Sequence, residues 1–246
     1  NAGNDATLCA NAGSTATLGG TPTAVGGTSP YVYTWASSPA GFSSSLSNPA
    51  VSPTVTTTYY VTVVDAKGCS SVDSVKVNFN PAPSADAGKD STMCSGFCVT
   101  LGTATTATGG SGPYQYLWSP TVGLNANNTP NPLACPLVTT TYNVLVTDAN
   151  GCQSTDAVTI TIRSNPVADA GVHKTITNCS SDSVAIGGSP AASGGAGGYT
   201  YTWSPATGLS SVTIGNPFVQ GINVSQLYTL VVTDVNGCTA EDAVLV

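Results

Sequence analysis

Cysteine is the residue type whose number and spacing in this chain most directly imply chemistry. Six of the eight cysteines recur in step. Cys9, Cys94 and Cys179 each close a short stretch ahead of a strand, while Cys69, Cys152 and Cys238 each follow an Asp-x-x-Gly turn. The separations Cys9 to Cys69, Cys94 to Cys152 and Cys179 to Cys238 are 60, 58 and 59 residues. That regularity predicts three disulfides within repeats, each tying a first strand to a last, with Cys98–Cys135 as an extra bridge. Closing a loop of that size is worth about 4 kcal/mol in the chain-entropy model. Redox-active or metal-binding thiols are the competing chemistry, but the chain has no Cys-x-x-Cys pair and one histidine. Oxidised staples in an oxidising compartment fit better.

Other residue types offer less. The single histidine, His173, stands beside Lys174 with no repeated acid or nucleophile pointing to it, so acid–base catalysis has little to stand on and no catalytic residue is assigned. The twelve acids fall near junctions, hairpin tips or strand starts. Asp86, Asp90 and Asp169 follow the joints, where carboxylates could gather around calcium, a cation that takes six to eight oxygen ligands. Turn and cap chemistry, with each carboxylate accepting nearby backbone N–H groups, is the plainer reading and fits Asp65, Asp148 and Asp234. No cofactor or metal ligand is therefore assigned, and calcium stays an open possibility at the joints.

These residues are positioned by a repeat. Tyr31-Val-Tyr33-Thr-Trp35, Tyr114-Gln-Tyr116-Leu-Trp118 and Tyr199-Thr-Tyr201-Thr-Trp203 mark units of about 82 residues, taken as 1–82, 83–166 and 167–246. In each the aromatics share one face at period two, which predicts a central strand filling a sandwich core more than a sugar-stacking platform. A penultimate strand alternates Tyr59, Val61, Val63, then Tyr142, Val144, Val146, then Tyr228, Leu230, Val232. Asp65 to Gly68, Asp148 to Gly151 and Asp234 to Gly237 then read as tight hairpin turns. About seven short strands per unit and no credible helix predict an all-β fold of three tandem β-sandwiches.

Composition sets the surroundings. Charged residues make up 7% of the chain, against roughly 25% in an ordinary soluble domain. No apolar run approaches the roughly 20 residues of a membrane helix, so no membrane span is expected. Net charge is −7 with five Lys and Arg, which speaks against a nucleic-acid partner.

The run Tyr-x-Tyr-x-Trp-Ser-Pro-x-x-Gly-Leu, then Asn-Pro, then Thr-Thr-Thr-Tyr-x-Val-x-Val-x-Asp-Ala-x-Gly-Cys resembles the Ig-like and PKD-like repeats of very large Bacteroidetes surface proteins, gliding-motility adhesins among them. All three units carry it; the middle one matches through Tyr114–Pro120 and Thr139–Cys152, the third through Tyr199–Leu209 and Tyr228–Cys238. The resemblance implies Ig-like sandwiches in an extracellular, cell-surface adhesive fibre, whose partners are neighbouring repeats of the same chain or fibre and surface polysaccharide or glycan. The Asp-Phe-Gly-Asp-Gly of the PKD family is replaced here by Ala36-Ser37-Ser38-Pro39 or Ser204-Pro205-Ala206, so roles tied to those aspartates do not transfer. Asp73-Ser74-Val75, Asp90-Ser91-Thr92 and Asp182-Ser183-Val184 resemble the O-glycosylation tripeptide of Bacteroidetes and would place glycans on Ser74, Ser91 and Ser183.

The joints, Asn80-Pro81-Ala82-Pro83-Ser84 and Ser164-Asn165-Pro166-Val167, are short and Pro-containing, hence stiff. Sandwiches joined this way are expected end to end, at roughly 35–40 Å each. The expected function is a non-catalytic stalk or adhesin segment, cut from a longer string. Two alternatives stand beside it. One is a carbohydrate-binding accessory region of a secreted enzyme, using loops Gly41 to Asn48, Gly123 to Thr129 and Gly208 to Asn216, with Phe42 as an exposed aromatic. The other is a subunit that polymerises non-covalently when a neighbour completes its short last strand, which ends at Val244 and Val246.

Overall fold

The architecture follows from the repeated aromatic strand and its two neighbours. A computed structural model of the chain describes residues 1–10, 13–177 and 182–246. Among them the regular elements are all strands. In repeat 1 the main sheet runs in the order Ala6–Cys9, Ser70–Asn80, Thr57–Val64, Val32–Ser38, Ser43–Ser44, and Ala16–Thr17 pairs with Ala50–Val51 opposite it. Repeat 2 has Ser91–Cys94, Gln153–Arg163, Thr140–Thr147 and Gln115–Ser119 in the same order, and repeat 3 has Thr239–Leu245, Leu227–Thr233 and Thr200–Ser204.

Period-two alternation puts each unit's large side chains between its sheets. Trp35, Trp118 and Trp203 are all but inaccessible to solvent, as are Tyr59, Tyr142 and Tyr228 on the adjacent strand. Three separate cores result, one per repeat. Each buried Val, Leu or Ile contributes about 1.5–3 kcal/mol. The indole N–H of each tryptophan donates across the core edge to a loop carbonyl, at Leu46 (2.9 Å), Thr129 (3.0 Å) and Ile214 (3.0 Å). The recurrent Asn-Pro also acquires a physical role. The carboxamides of Asn48, Asn131 and Asn216 each donate to two carbonyls at the end of the opposite strand, Leu18 and Gly20, Leu101 and Thr103, Ile186 and Gly188.

One pairing departs from the simple meander. The strand Ala6–Cys9 lies parallel to Ser70–Asn80, with Cys9 beside Asn80, and Ser91–Cys94 lies parallel to Gln153–Arg163, with Cys94 beside Arg163. The first cysteine of a repeat therefore sits at the far end of the last strand. The second cysteine sits at its start, eleven residues of strand away, or about 36 Å at 3.3 Å per residue. The expected disulfides Cys9–Cys69 and Cys94–Cys152 are corrected on this ground, since a disulfide needs Cα atoms within about 7 Å.

The linkers are shorter than the sequence suggested. Ser70–Asn80 ends two residues before Pro83–Ala85, which pairs antiparallel with Ala107–Gly109 of repeat 2. Likewise Pro166–Ala168 pairs with Ala192–Gly194 of repeat 3.

Candidate functional site: the joint between repeats

The joint is built around the Asp-x-x-Gly turn. In repeat 2 the turn is closed by the Gly151 N–H donating to the Asp148 carbonyl (3.0 Å) and the Asp148 N–H donating to the Cys152 carbonyl (2.9 Å). Gly151 has φ +79°, the left-handed conformation that glycine takes without steric cost. The Asp148 carboxylate then accepts three backbone N–H groups, from Asn150 (2.9 Å), Cys152 (2.9 Å) and Ser111 (2.9 Å). Asp234 repeats this with Asn236, Cys238 and Ala196, and Asp65 with Lys67, Cys69 and Thr28. Each carboxylate thus fixes the amide of the second cysteine and pins the preceding Gly-rich loop against the turn.

The titration of these groups reflects that geometry. Donation from Cys69 and Thr28, stronger than the opposing effect of burial, holds the Asp65 carboxyl below the usual carboxylate range. Burial pushes Asp148 upward, but the Ser111, Cys152 and Asn150 amides outweigh it and the net shift is down. Asp234 is lowered by the Ala196 amide against burial, with help from the Cys238 and Asn236 amides and the positive charge of Arg163 across the joint.

The disulfides close the joint. Cys9 is bonded to Cys152 of the next repeat, 143 residues on, and Cys94 to Cys238, 144 residues on. Cys98–Cys135 lies within repeat 2. Because Cys238 is held by Cys94, the expected Cys179–Cys238 bridge is also corrected; Cys179 itself lies outside the described residues. Cys69 is an exposed free thiol, whereas Cys152 and Cys238 are fully buried. Around each clasp the backbone continues the contact: Ala10 N–H donates to the Asn80 carbonyl and Ser95 N–H to that of Arg163. The Asn165 carboxamide caps the Ser95 carbonyl at 3.1 Å.

The linker proline packs into the same place. A Cβ on Gly110 would lie 2.7 Å from the Asp148 carboxylate and 3.0 Å from the Pro83 nitrogen, and one on Gly195 would meet Asp234 and Pro166 at 2.8 and 2.9 Å. Turn, loop, linker and disulfide therefore form one interlocked unit at both joints. Sequence reading missed it because it took the first and last strands to share an end. The shortness of the joints was the available signal, since it brings the far end of one repeat against the hairpin of the next.

The other candidate residues are spread out. Asp86 accepts from the Gly88 amide and the Thr103 hydroxyl, Asp90 from the Thr159 amide and Asp169 from the Gly171 amide. Among the described residues no three His, Cys, Asp or Glu side chains cluster in a way that could hold a metal. His173 is exposed. Ser74 and Ser183 lie exposed on strands, while Ser91 is half-buried with its Oγ shut away from solvent. Phe42 is not an exposed loop aromatic: it stands edge-on to Tyr59 with ring centroids 5.3 Å apart and packs against the core.

No protein-family model matches the chain, and no curated protein matches it. Among solved structures, the I-band fragment I67-I69 from titin is similar over 98% of this chain and 94% of that one, at 10% identity and a TM-score of 0.47. The N-terminal eight Ig domains of Down Syndrome Cell Adhesion Molecule align with 98% of this chain and 34% of theirs, at 13% identity and a TM-score of 0.35. SGBP-B of the Bacteroides ovatus mixed-linkage glucan utilization locus aligns over 97% and 64%, at 16% identity and a TM-score of 0.24. By its own strand order and its separate cores, the chain is an all-β tandem of Ig-like sandwiches.

Proposed function

We propose that the chain is a non-catalytic structural or adhesive segment of an extracellular, repetitive surface fibre, in which the joints and not the loops do the work. The observation that carries this reading is the pair of disulfides Cys9–Cys152 and Cys94–Cys238, each fastening one repeat to the next. A two-residue linker alone leaves neighbouring sandwiches free to hinge, and contacts within a chain ordinarily permit such motion. A second covalent connection at the same joint suppresses it, giving a stiff string that carries load. Disulfides persist in oxidising surroundings, which supports placement outside the cell. The sparse charge and the Ser- and Thr-rich surface suit such a setting, and glycans on Ser74 or Ser183 would add to it.

The test is the mass of the native polypeptide in cells that produce it, on denaturing gels with and without reductant, followed by surface labelling with antibody to this segment. A species of hundreds of kilodaltons in both lanes, accessible on intact cells, is the expected result. A band near 24.4 kDa in both lanes, or a purely internal location, would overturn the reading. A small band that forms filaments after purification would favour the polymerising subunit instead.

A further inference from the structure

Repeats 2 and 3 each hold three things at the joint with the repeat before them: a Pro-x-Ala strand, a proline seated over the loop glycine, and a cysteine of the preceding repeat for the clasp. In repeat 1 the corresponding three positions have no such partner among the described residues. Ala24 to Gly26 corresponds to Ala107–Gly109 and Ala192–Gly194 but is paired with no strand among the described residues. The three atoms nearest a Cβ on Gly27 all belong to Asp65, whereas two of the three nearest its counterparts on Gly110 and Gly195 belong to a linker proline. Cys69 is exposed, where Cys152 and Cys238 are buried and bonded. These positions line one continuous groove of about 300 Å³, bordered by the exposed apolar side chains Val25 (80% accessible) and Val72 (63%).

The start of the missing ladder is already in place. Asn1 N donates to the Thr23 carbonyl at 2.9 Å, as Asp86 N donates to that of Thr106 at 3.0 Å and Asp169 N to that of Ala191 at 3.0 Å. Ala2 is fully buried with its amide on Asp73, as Ala87 is on Asp156 and Ala170 on Asp242. The register of a strand entering from ahead of Asn1 is thereby set. Its last residue would face Ala24, as Ala85 faces Ala107.

We infer that the N-terminal face of repeat 1 is the seat of one further repeat of this kind, joined in line ahead of Asn1 by a Pro-x-Ala strand and clasped by a disulfide from its first-strand cysteine to Cys69. The occupant is an in-line repeat and not a separate copy, because the strand it supplies must run directly into Asn1. The inference rests on repeat geometry alone and stands independently of the surface-fibre reading. It makes Cys69 one half of a staple and the joint a module that is copied unchanged along a string.

The experiment adds a second copy of residues 86–168 ahead of Asn1, so that Ala168 precedes Asn1 as it now precedes Asp169. In the 246-residue chain, iodoacetamide should label Cys69. In the extended chain Cys69 should resist labelling, and peptide mapping should find it joined to the added copy's Cys94. The added copy's own Cys98–Cys135 bond reports that it has folded. A labelled Cys69 beside that intact bond overturns the inference. So does a Cys69–Cys179 crosslink between separate 246-residue chains, which would put a second copy in the seat. Should the added repeat fail to fold, a shorter extension carrying only residues 164–168 tests the strand. Hydrogen exchange at the Val25 amide should then slow at least tenfold, since alternation along an antiparallel ladder makes this the residue whose N–H faces the new strand. An unchanged rate overturns the inference.

Discussion

Cys9 is bonded to Cys152, in the following repeat, while Cys69 of its own repeat stands free at the opposite end of the sandwich. The staple therefore couples domains instead of bracing one. In the chain-entropy model a closed loop of 143 residues is worth about 5 kcal/mol, and here much of that joins the unfolding of repeat 1 to that of repeat 2. Calorimetry of the oxidised chain is expected to show the repeats melting together. A Cys9→Ser/Cys152→Ser double variant should release repeat 1 as a separate, earlier transition. An unchanged single transition would show that the noncovalent joint alone couples the repeats.

The two joint disulfides interleave along the chain, Cys9 and Cys152 straddling Cys94, and Cys94 and Cys238 straddling Cys152. With Cys98–Cys135 also closed, the shortest covalent path under tension follows residues 1–9, 152 back to 135, 98 back to 94, and 238–246. That path is roughly 40 residues, or about 140 Å at full extension, against about 850 Å for the reduced chain at 3.3–3.6 Å per residue. Single-molecule pulling should find the oxidised chain stopping near the shorter length and gaining the rest after reductant is added. Extension to the full contour without reductant would mean that the staples are not formed.

The two kinds of information in the sequence had unequal reach. The Trp35, Trp118 and Trp203 strands, the Tyr59-type neighbours and the Asp-x-x-Gly turns were legible because each is a local, periodic signal read off one face of a strand or one tight turn. The joint was not, because it depends on whether the short strand ending in Cys9 runs with or against Ser70–Asn80. Nothing in a four-residue strand states its direction, and both directions satisfy the same apolar pattern. A regular spacing near 60 residues looked like a within-repeat bridge, yet any period shared by both cysteine positions suits a bridge to the next repeat equally well. Asn48, Asn131 and Asn216 were visible as a recurrent Asn-Pro, but a carboxamide spanning two carbonyls on another strand is a long-range relation that the dipeptide does not announce.

The three turn carboxylates make the joints acid-sensitive. Asp65, Asp148 and Asp234 each have a folded-state pKa below the unfolded value, which is about 3.9 for Asp. Their stabilisation is therefore complete above that value and lost as pH falls through the folded pKa values. Thermal midpoints are expected to hold steady from pH 7 to about 5 and to drop below about 4. Asp148→Asn should lower the midpoint at neutral pH and flatten the acid limb, because an amide oxygen is a weaker acceptor and does not titrate. An acid limb as steep in that variant as in the parent would exclude Asp148 as a contributor.

Gly110 and Gly151 separate the packing of the joint from the strain of its backbone. Both have positive φ, +58° and +79°, so alanine at either forces a conformation that L residues rarely adopt and should destabilise by about 1 kcal/mol or more. Only Gly110 also has the Asp148 carboxylate and Pro83 within 3.0 Å of a new Cβ, while nothing stands within 4 Å at Gly151. Gly151→Ala should therefore show the strain alone. Gly110→Ala should show a larger loss and should also push Pro83 and Asp148 off the turn that holds the Cys152 amide. Cys9–Cys152 is then expected to be reduced at lower thiol concentration in Gly110→Ala than in Gly151→Ala, as read by alkylation and peptide mapping. Equal reduction in the two variants would mean that the linker proline and the disulfide are independent features and not one clasp.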